Sequence, residues 1–332
     1  MVGKKFGVVL VGLGVFVLAL ALLSRFYVYE RLAVVPLDQE TVTVSEGTGA
    51  TIFDIAEQSE ITVDLVSTRN TVGDVAASEE ASEELDDDIA VWETLVFTRE
   101  PGVDVGEENP PRSGTHDRVA FDRHTGEAVD CCGAYLSSTA DLETGEEVRD
   151  TDTPITGQYF KLPFDAQKTT YQFWDGALKD STDMDYAATE DVEGLTVYRY
   201  EQVIEPTDVG DIDAPGALFG LDVEGDVQLD RIYSNTRTLW VEPETGVIIV
   251  GQEAQYVVAE YQGDQVATLT DAVLRYNQET VDNNIDEYSP LSTQLKIVRV
   301  WLPLLGGIAG ALMILIGLVL MARGSSGRRR VA

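Results

Sequence analysis

The chain has 332 residues and carries 58 Asp and Glu against 23 Lys and Arg, a formal net charge of −35. So negative a protein offers no basic surface to phosphates, which excludes nucleic acid as a partner. Anionic lipid headgroups would be repelled by most of it as well.

The charge is unevenly spread. Residues 6–23, FGVVLVGLGVFVLALALL, contain none, and neither do residues 300–322, VWLPLLGGIAGALMILIGLVLMA. Runs of 18 or more apolar residues are candidate membrane spans. The first could instead be a cleaved signal sequence with Lys4 and Lys5 as its basic end. It leads, however, into Ser24-Arg25-Phe26-Tyr27, without the small residues a cleavage site needs. An uncleaved anchor is expected. Basic residues stay on the cytoplasmic side, and here they are Lys4 and Lys5 before the first span and Arg323, Arg328, Arg329 and Arg330 after the second.

The expected plan is therefore a cytoplasmic tail (1–5), a transmembrane helix (6–24), an extracytoplasmic acidic domain (25–299), a second transmembrane helix (300–322) and a basic cytoplasmic tail (323–332). That makes a two-pass plasma-membrane protein whose partner is the lipid bilayer. Gly306, Gly307 and Gly310 would let another helix approach closely, either the first, with Gly12 and Gly14, or that of a second copy.

Within the central domain, Thr41–Val44 alternates as a strand should. The like-charged run Glu79–Asp88 reads as a mobile surface loop. Ala90–Thr98 is rich in β-formers, and a Pro/Gly loop follows from Pro101 to Ser113. An acidic residue, two spacers and Thr-Gly recur at Asp122–Gly126, Asp141–Gly145 and Glu242–Gly246, a pattern that suits tight turns.

Leu195–Tyr200, Arg237–Val241, Val247–Val250, Tyr256–Tyr261 and Ala267–Tyr276 extend the strand pattern. The fold expected is mainly β, a curled or closed antiparallel sheet, α+β overall, between two transmembrane helices. Glu279–Val298 reads as a helix or linker interrupted at Pro290.

The two cysteines, Cys131 and Cys132, are adjacent. They are read as a vicinal disulfide or as free, partly buried thiols. His116 and His124 lie upstream, but the spacing fits no metal motif. Asp183-Met184-Asp185 and Asp208–Asp213 are only fragments of calcium loops, so the acidic surface is read as solvated, in keeping with a halophilic protein. No metal and no cofactor are expected. Nucleophile elbows, phosphate loops and zinc-protease motifs are absent from the sequence, so a non-enzymatic role is expected and no catalytic residue is assigned.

Four segments carry a resemblance: residues 6–23 running into Leu32-Ala33-Val34-Val35-Pro36-Leu37-Asp38, Tyr159–Asp165 with Thr170–Asp175, Val192–Tyr200, and Leu302–Gly307. Over nearly the whole chain they resemble a prokaryotic family labelled porin PorA, found in actinobacteria and some salt-loving archaea. A porin wall would need an outward apolar band, whereas these strands are charged, and neither apolar helix carries a polar stripe to line a pore. In topology alone the plan is also similar to class B scavenger receptors, whose ectodomain conducts lipid. That likeness makes Phe160, Phe164, Tyr171, Phe173 and Trp174 candidate ligand-lining residues. The function expected is binding of an apolar ligand or envelope component. The alternatives are a structural or interaction role in the cell envelope and an oligomeric channel.

Overall fold

The computed structural model describes residues 2–103, 111–138 and 148–325. The chain divides into two units, residues 35–288 and the flanking segments 1–34 with 289–332.

The helical unit is built by α1 (Val2–Leu23), a π-helical turn at Ser24–Val28, α2 (Tyr29–Leu32), a second π-turn at Ile297–Trp301 and α5 (Leu302–Ser325). Both long helices are apolar enough to cross a membrane. They pack together where side chains are smallest. A Cβ added at Gly14 would lie 2.7 Å from the Gly310 carbonyl, and one at Gly7 would lie 2.7 Å from that of Gly317. Gly306 faces Ala21, whereas Gly12 and Gly307 have open space beside them. Each π-turn leaves the helical hydrogen-bond ladder, and the buried Ser24 hydroxyl donates to the Val298 carbonyl at 2.8 Å.

The other unit is a 12-stranded antiparallel sheet made of two meanders. The first comprises β1 (Glu40–Asp54), β2 (Ser59–Gly73), β3 (Ile89–Arg99), β4 (Ser113–Asp122), β5 (Leu136–Ser138) and β6 (Val148–Asp150). The second comprises β7 (Tyr171–Asp175), β8 (Asp180–Val192), β9 (Leu195–Pro215), β10 (Asp226–Val241), β11 (Ile248–Tyr261) and β12 (Asp264–Tyr276). The seam is β1 against β12, so the order runs from β6 to β1 and then from β12 to β7.

Turn chemistry fixes the registers. Glu193-Gly194 and Gln262-Gly263 each place two successive residues at positive φ, the backbone of a tight hairpin turn whose twist matches the strands. At Asp122 and Glu242 the acidic opener accepts the Thr amide (2.6 and 2.8 Å) and the Thr hydroxyl (2.8 Å in both). Gly126 and Gly246 supply the positive φ that ends each turn. The third copy, Asp141–Gly145, lies outside the described residues, as does most of the Pro101–Ser113 loop.

Segment 155–166 then ties the two ends of the sheet. Ala128 donates to the Gly157 carbonyl, Gln158 to that of Gln172, and Trp174 back to Gln158, each at 2.8 Å. Leu162 and Ala166 continue across the concave face into a core with Phe173, Met184, Tyr200, Leu239 and Val241. A Cβ at Gly246 would lie 2.0 Å from the Leu162 carbonyl, so only glycine admits this segment.

Two readings are corrected. The acidic run is helical from Glu79 to Leu85, as part of α3 (Val75–Leu85), and Asp86 caps that helix in the left-handed region, rather than the whole run being a mobile loop. The Asp74 carboxylate caps it by accepting the Ala77 amide at 3.0 Å. Ser78 and Ala81 are buried on the side facing β3, while Glu79, Glu80, Glu83 and Glu84 point to water. Also, Pro290 does not interrupt the segment before the second span, because α4 (Gln278–Lys296) continues through it. Asn284 on α4 donates to the carbonyls of Ile248 and Ile249, while Val281, Ile285 and Tyr288 pack with Val197, Ile249 and Val250.

Candidate functional site, a hydroxyl-floored cavity

Curling leaves a cavity of about 460 Å3 on the concave face. Its floor follows from two-residue alternation. Ser45 pairs with Ser67, Ser67 with Thr98, and Thr98 with Ser113, so one row crossing β1 to β4 is hydroxyl throughout. The adjacent row is Thr43, Arg69, Val96 and Thr115. All of these residues line the cavity. The hydroxyls bond one another sparingly: Thr98 Oγ1 donates to Ser67 Oγ at 3.1 Å.

The opposite wall belongs to β7, β10 and β11 and is tied by Arg237. Its guanidinium donates to Glu253 Oε1 (2.8 Å), the Trp174 carbonyl (3.0 Å), Gln202 Oε1 (2.5 Å) and Asp175 Oδ2 (3.1 Å). The Tyr233 hydroxyl also donates to Asp175 Oδ2, at 3.0 Å, and the amides of Ala177 and Leu178 occupy Oδ1. Desolvation works against the charged forms here, but Glu253 and Asp175 hold Arg237 above its ordinary range, and Arg237 holds Glu253 below its own. Burial, followed by the Asp175 charge, pushes the Tyr233 phenol up.

Arg69 is different. Among the described residues its guanidinium makes no hydrogen bond or ion pair, and it feels Asp117 and Glu253 only through space. Asp117 is buried and its pKa is raised, chiefly by desolvation. The Tyr159 hydroxyl (2.6 Å) and the Ser137 amide (3.1 Å) oppose that rise by donating to it. At the rim, Lys179 bridges to Asp150 at 2.7 Å and draws that carboxyl far down. The lining carries three cations (Arg69, Arg237, Lys179) against four carboxylates (Asp117, Asp150, Asp175, Glu253), so the cavity is close to neutral in a strongly acidic protein.

The five aromatic candidates spread over three cores. Phe173 and half-buried Tyr171 belong to one. Trp174 is buried in a second, with Val119 and Tyr159. Phe164 joins a third, around Trp92 and Phe121, and Phe160 packs against both of the latter two. Phe173 and Trp174 line the cavity, and the other three do not.

Cys131 and Cys132 are joined by a disulfide, with Cα atoms 3.8 Å apart, and lean on the core under α3. His116 instead meets Tyr135 (3.2 Å) and Glu93 (3.5 Å), and His124 meets Asp88 (3.1 Å). Among the described residues, the group placed to hold a cation is Asp208, Asp211 and Asp230, largely exposed, with ligand atoms within 4.8 Å of one another. Asp183 and Asp185 are instead exposed on β8, each accepting a hydrogen bond, from Gln172 and from Thr170.

Sequence reasoning missed the floor. Its signal is present in Thr43-x-Ser45, Ser67-x-Arg69, Val96-x-Thr98 and Ser113-x-Thr115-x-Asp117, but only the pairing registers bring these polar stripes onto one surface.

The model of a family described as Porin PorA matches residues 6–319. A protein named porin PorA from Corynebacterium amycolatum is 25% identical over 305 residues, covering 76% of this chain and 78% of its own. Another of that name, from Corynebacterium resistens, is 22% identical over 279 residues, covering 63% of this chain and 66% of its own.

Proposed function

This chain belongs to the Porin PorA family, and from that premise and the cavity we propose that it is a membrane-anchored, non-enzymatic envelope protein that holds a polar ligand on the concave face of its sheet. The observation that carries this reading is the hydroxyl row across β1–β4 facing the Arg237 network over about 460 Å3, a volume within the usual range for a small-molecule site. The two apolar helices and their basic flanks support a two-pass topology with cytoplasmic termini and the acidic unit outside. Expectation shifts from an apolar to a polar ligand because an acyl chain would desolvate the hydroxyls and Arg69 without replacing their hydrogen bonds.

The relatives' names suggest a channel. On the convex side, however, Arg199 pairs with Glu190 and Glu201 on β8 and β9, a charged group that interrupts the exposed apolar side chains of that face, such as Val203 and Val273, where a bilayer-embedded barrel would keep an unbroken apolar band.

The test is to purify the full chain in nanodiscs and identify bound small molecules by native mass spectrometry. Ser67→Trp, which fills the floor, serves as the comparison. A stoichiometric ligand lost in the variant supports the reading. Ligand-free protein that conducts ions in planar bilayers would replace it with the channel.

A further inference from the structure

The cavity's lining separates three ligand classes: apolar chains, anions and neutral polyols. Leu136, Val148, Leu239 and Leu274 also line the cavity, but an apolar chain would still desolvate the hydroxyl floor and Arg69 without replacing their hydrogen bonds. Anions fare poorly too, although the Arg69 guanidinium makes no hydrogen bond or ion pair among the described residues. Asp117 and Glu253 stand close enough to act on it through space, and the lining as a whole holds more carboxylates than cations. A further negative charge at Arg69 would meet theirs in a partly desolvated setting, where screening is weak.

A neutral polyol meets none of these penalties. Each Ser and Thr hydroxyl both donates and accepts, which is the same double capacity a sugar hydroxyl has. Arg69 stands in the row beside the hydroxyl floor and offers five donors in a rigid fork, with no protein acceptor bonded to them among the described residues. Tyr276 pairs with Ser45 across the seam, and its half-buried ring, which lies over Gly251 and packs on the core of Val197, Ile249 and Val281, borders the end of the hydroxyl row, where the C–H face of a pyranose can meet its remaining surface. On the facing wall Arg237 occupies Glu253, Asp175, Gln202 and the Trp174 carbonyl, so apart from the buried Trp174 indole N–H, which has no partner among the described residues, that wall supplies shape rather than free hydrogen bonds.

Resting on the ligand-binding reading above, we infer that the cavity takes a neutral saccharide, with Arg69 as its principal hydrogen-bond donor and the β1–β4 hydroxyls as its floor.

The experiment presents labelled full-length protein in phosphatidylcholine nanodiscs, in high salt, to an array of neutral, phosphorylated and sialylated oligosaccharides. Wild type, Arg69→Met and Ser67→Trp are compared, with thermal unfolding as the check on folding. Expected is binding to neutral glycans, weakened at least about tenfold by Arg69→Met and abolished by Ser67→Trp, with no gain on anionic glycans. Binding confined to anionic glycans overturns the saccharide assignment in favour of an anion site. No glycan binding, with a non-saccharide molecule co-purifying in wild type and lost in Ser67→Trp, overturns the saccharide while leaving the cavity in use. No glycan binding and no bound molecule of any kind overturns both.

Discussion

The two meanders share one concave surface and treat their polar groups in opposite ways. In the β7–β12 half, Arg237, Asp175, Glu253, Gln202 and Tyr233 satisfy one another, so buried charge is used up inside the wall. In the β1–β6 half, Ser and Thr hydroxyls line rows that stay open to the cavity, and Arg69 is left without a bonded acceptor among the described residues. The difference separates a scaffold from a surface prepared for something else. A buried ion network lends rigidity only while it is complete, whereas an open polar row is tolerable because water or a ligand completes it.

Breaking the completed half should have the largest effect. Arg237→Met strands Asp175 and Glu253, and thermal or denaturant unfolding of the full chain should show a loss of about 3–5 kcal/mol. Gly246→Ala comes next, because its Cβ would collide with the Leu162 carbonyl at a positive φ, for a loss of about 2–3 kcal/mol in the same assay. Lys161→Met runs the other way. The Lys161 amine is buried beside the Phe164 ring with no hydrogen-bond partner among the described residues, and desolvation presses its pKa well down despite Glu242 and Asp122 nearby. Methionine keeps the stem and removes the orphaned donor, so stability at neutral pH should rise by about 1–2 kcal/mol.

The open half should respond least. Arg69→Met should change stability by no more than about 0.5 kcal/mol while weakening ligand binding, and a large destabilisation would show that Arg69 is structural after all.

Acid sharpens the contrast without breaking either half. Glu253 is lowered from 4.5, so its contribution is present above that value and is lost as pH falls through its native pKa. Asp117 is raised from 3.8, so its ionised form costs stability at neutral pH, and that cost vanishes as pH falls through the raised value towards 3.8. Asp117→Asn should therefore make acid unfolding steeper, read from stability against pH.

The sequence made the β class readable because runs such as Leu195–Tyr200 and Arg237–Val241 alternate cleanly, and the two apolar spans because nothing charged interrupts them. Helix α3 escaped notice because its four exposed glutamates outweigh the small buried face of Ser78 and Ala81. The cavity was illegible for a different reason. Arg69 and Arg237 come from separate meanders and meet one surface only through the β1–β12 seam, which is a matter of long-range pairing and not of local pattern. The aromatic run Tyr171–Trp174 drew attention to a neighbourhood, but alternation sends Phe173 and Trp174 into different cores.

The seam also sets an order on biosynthesis. Each meander condenses through hairpins between sequence neighbours, which close quickly, whereas β1 must wait for the last strand made. Until β12 emerges, β1 is a long unpaired edge, open to any strand that passes. Its neighbourhood is fitted for the wait: Glu40, Glu46, Glu60 and Asp64 crowd the β1–β2 hairpin with like charge, and a bulge between Gly47 and Ala50 breaks its regular register. A chain stopped before Asp264 should accordingly associate once that charge is screened, and light scattering against salt concentration would show it.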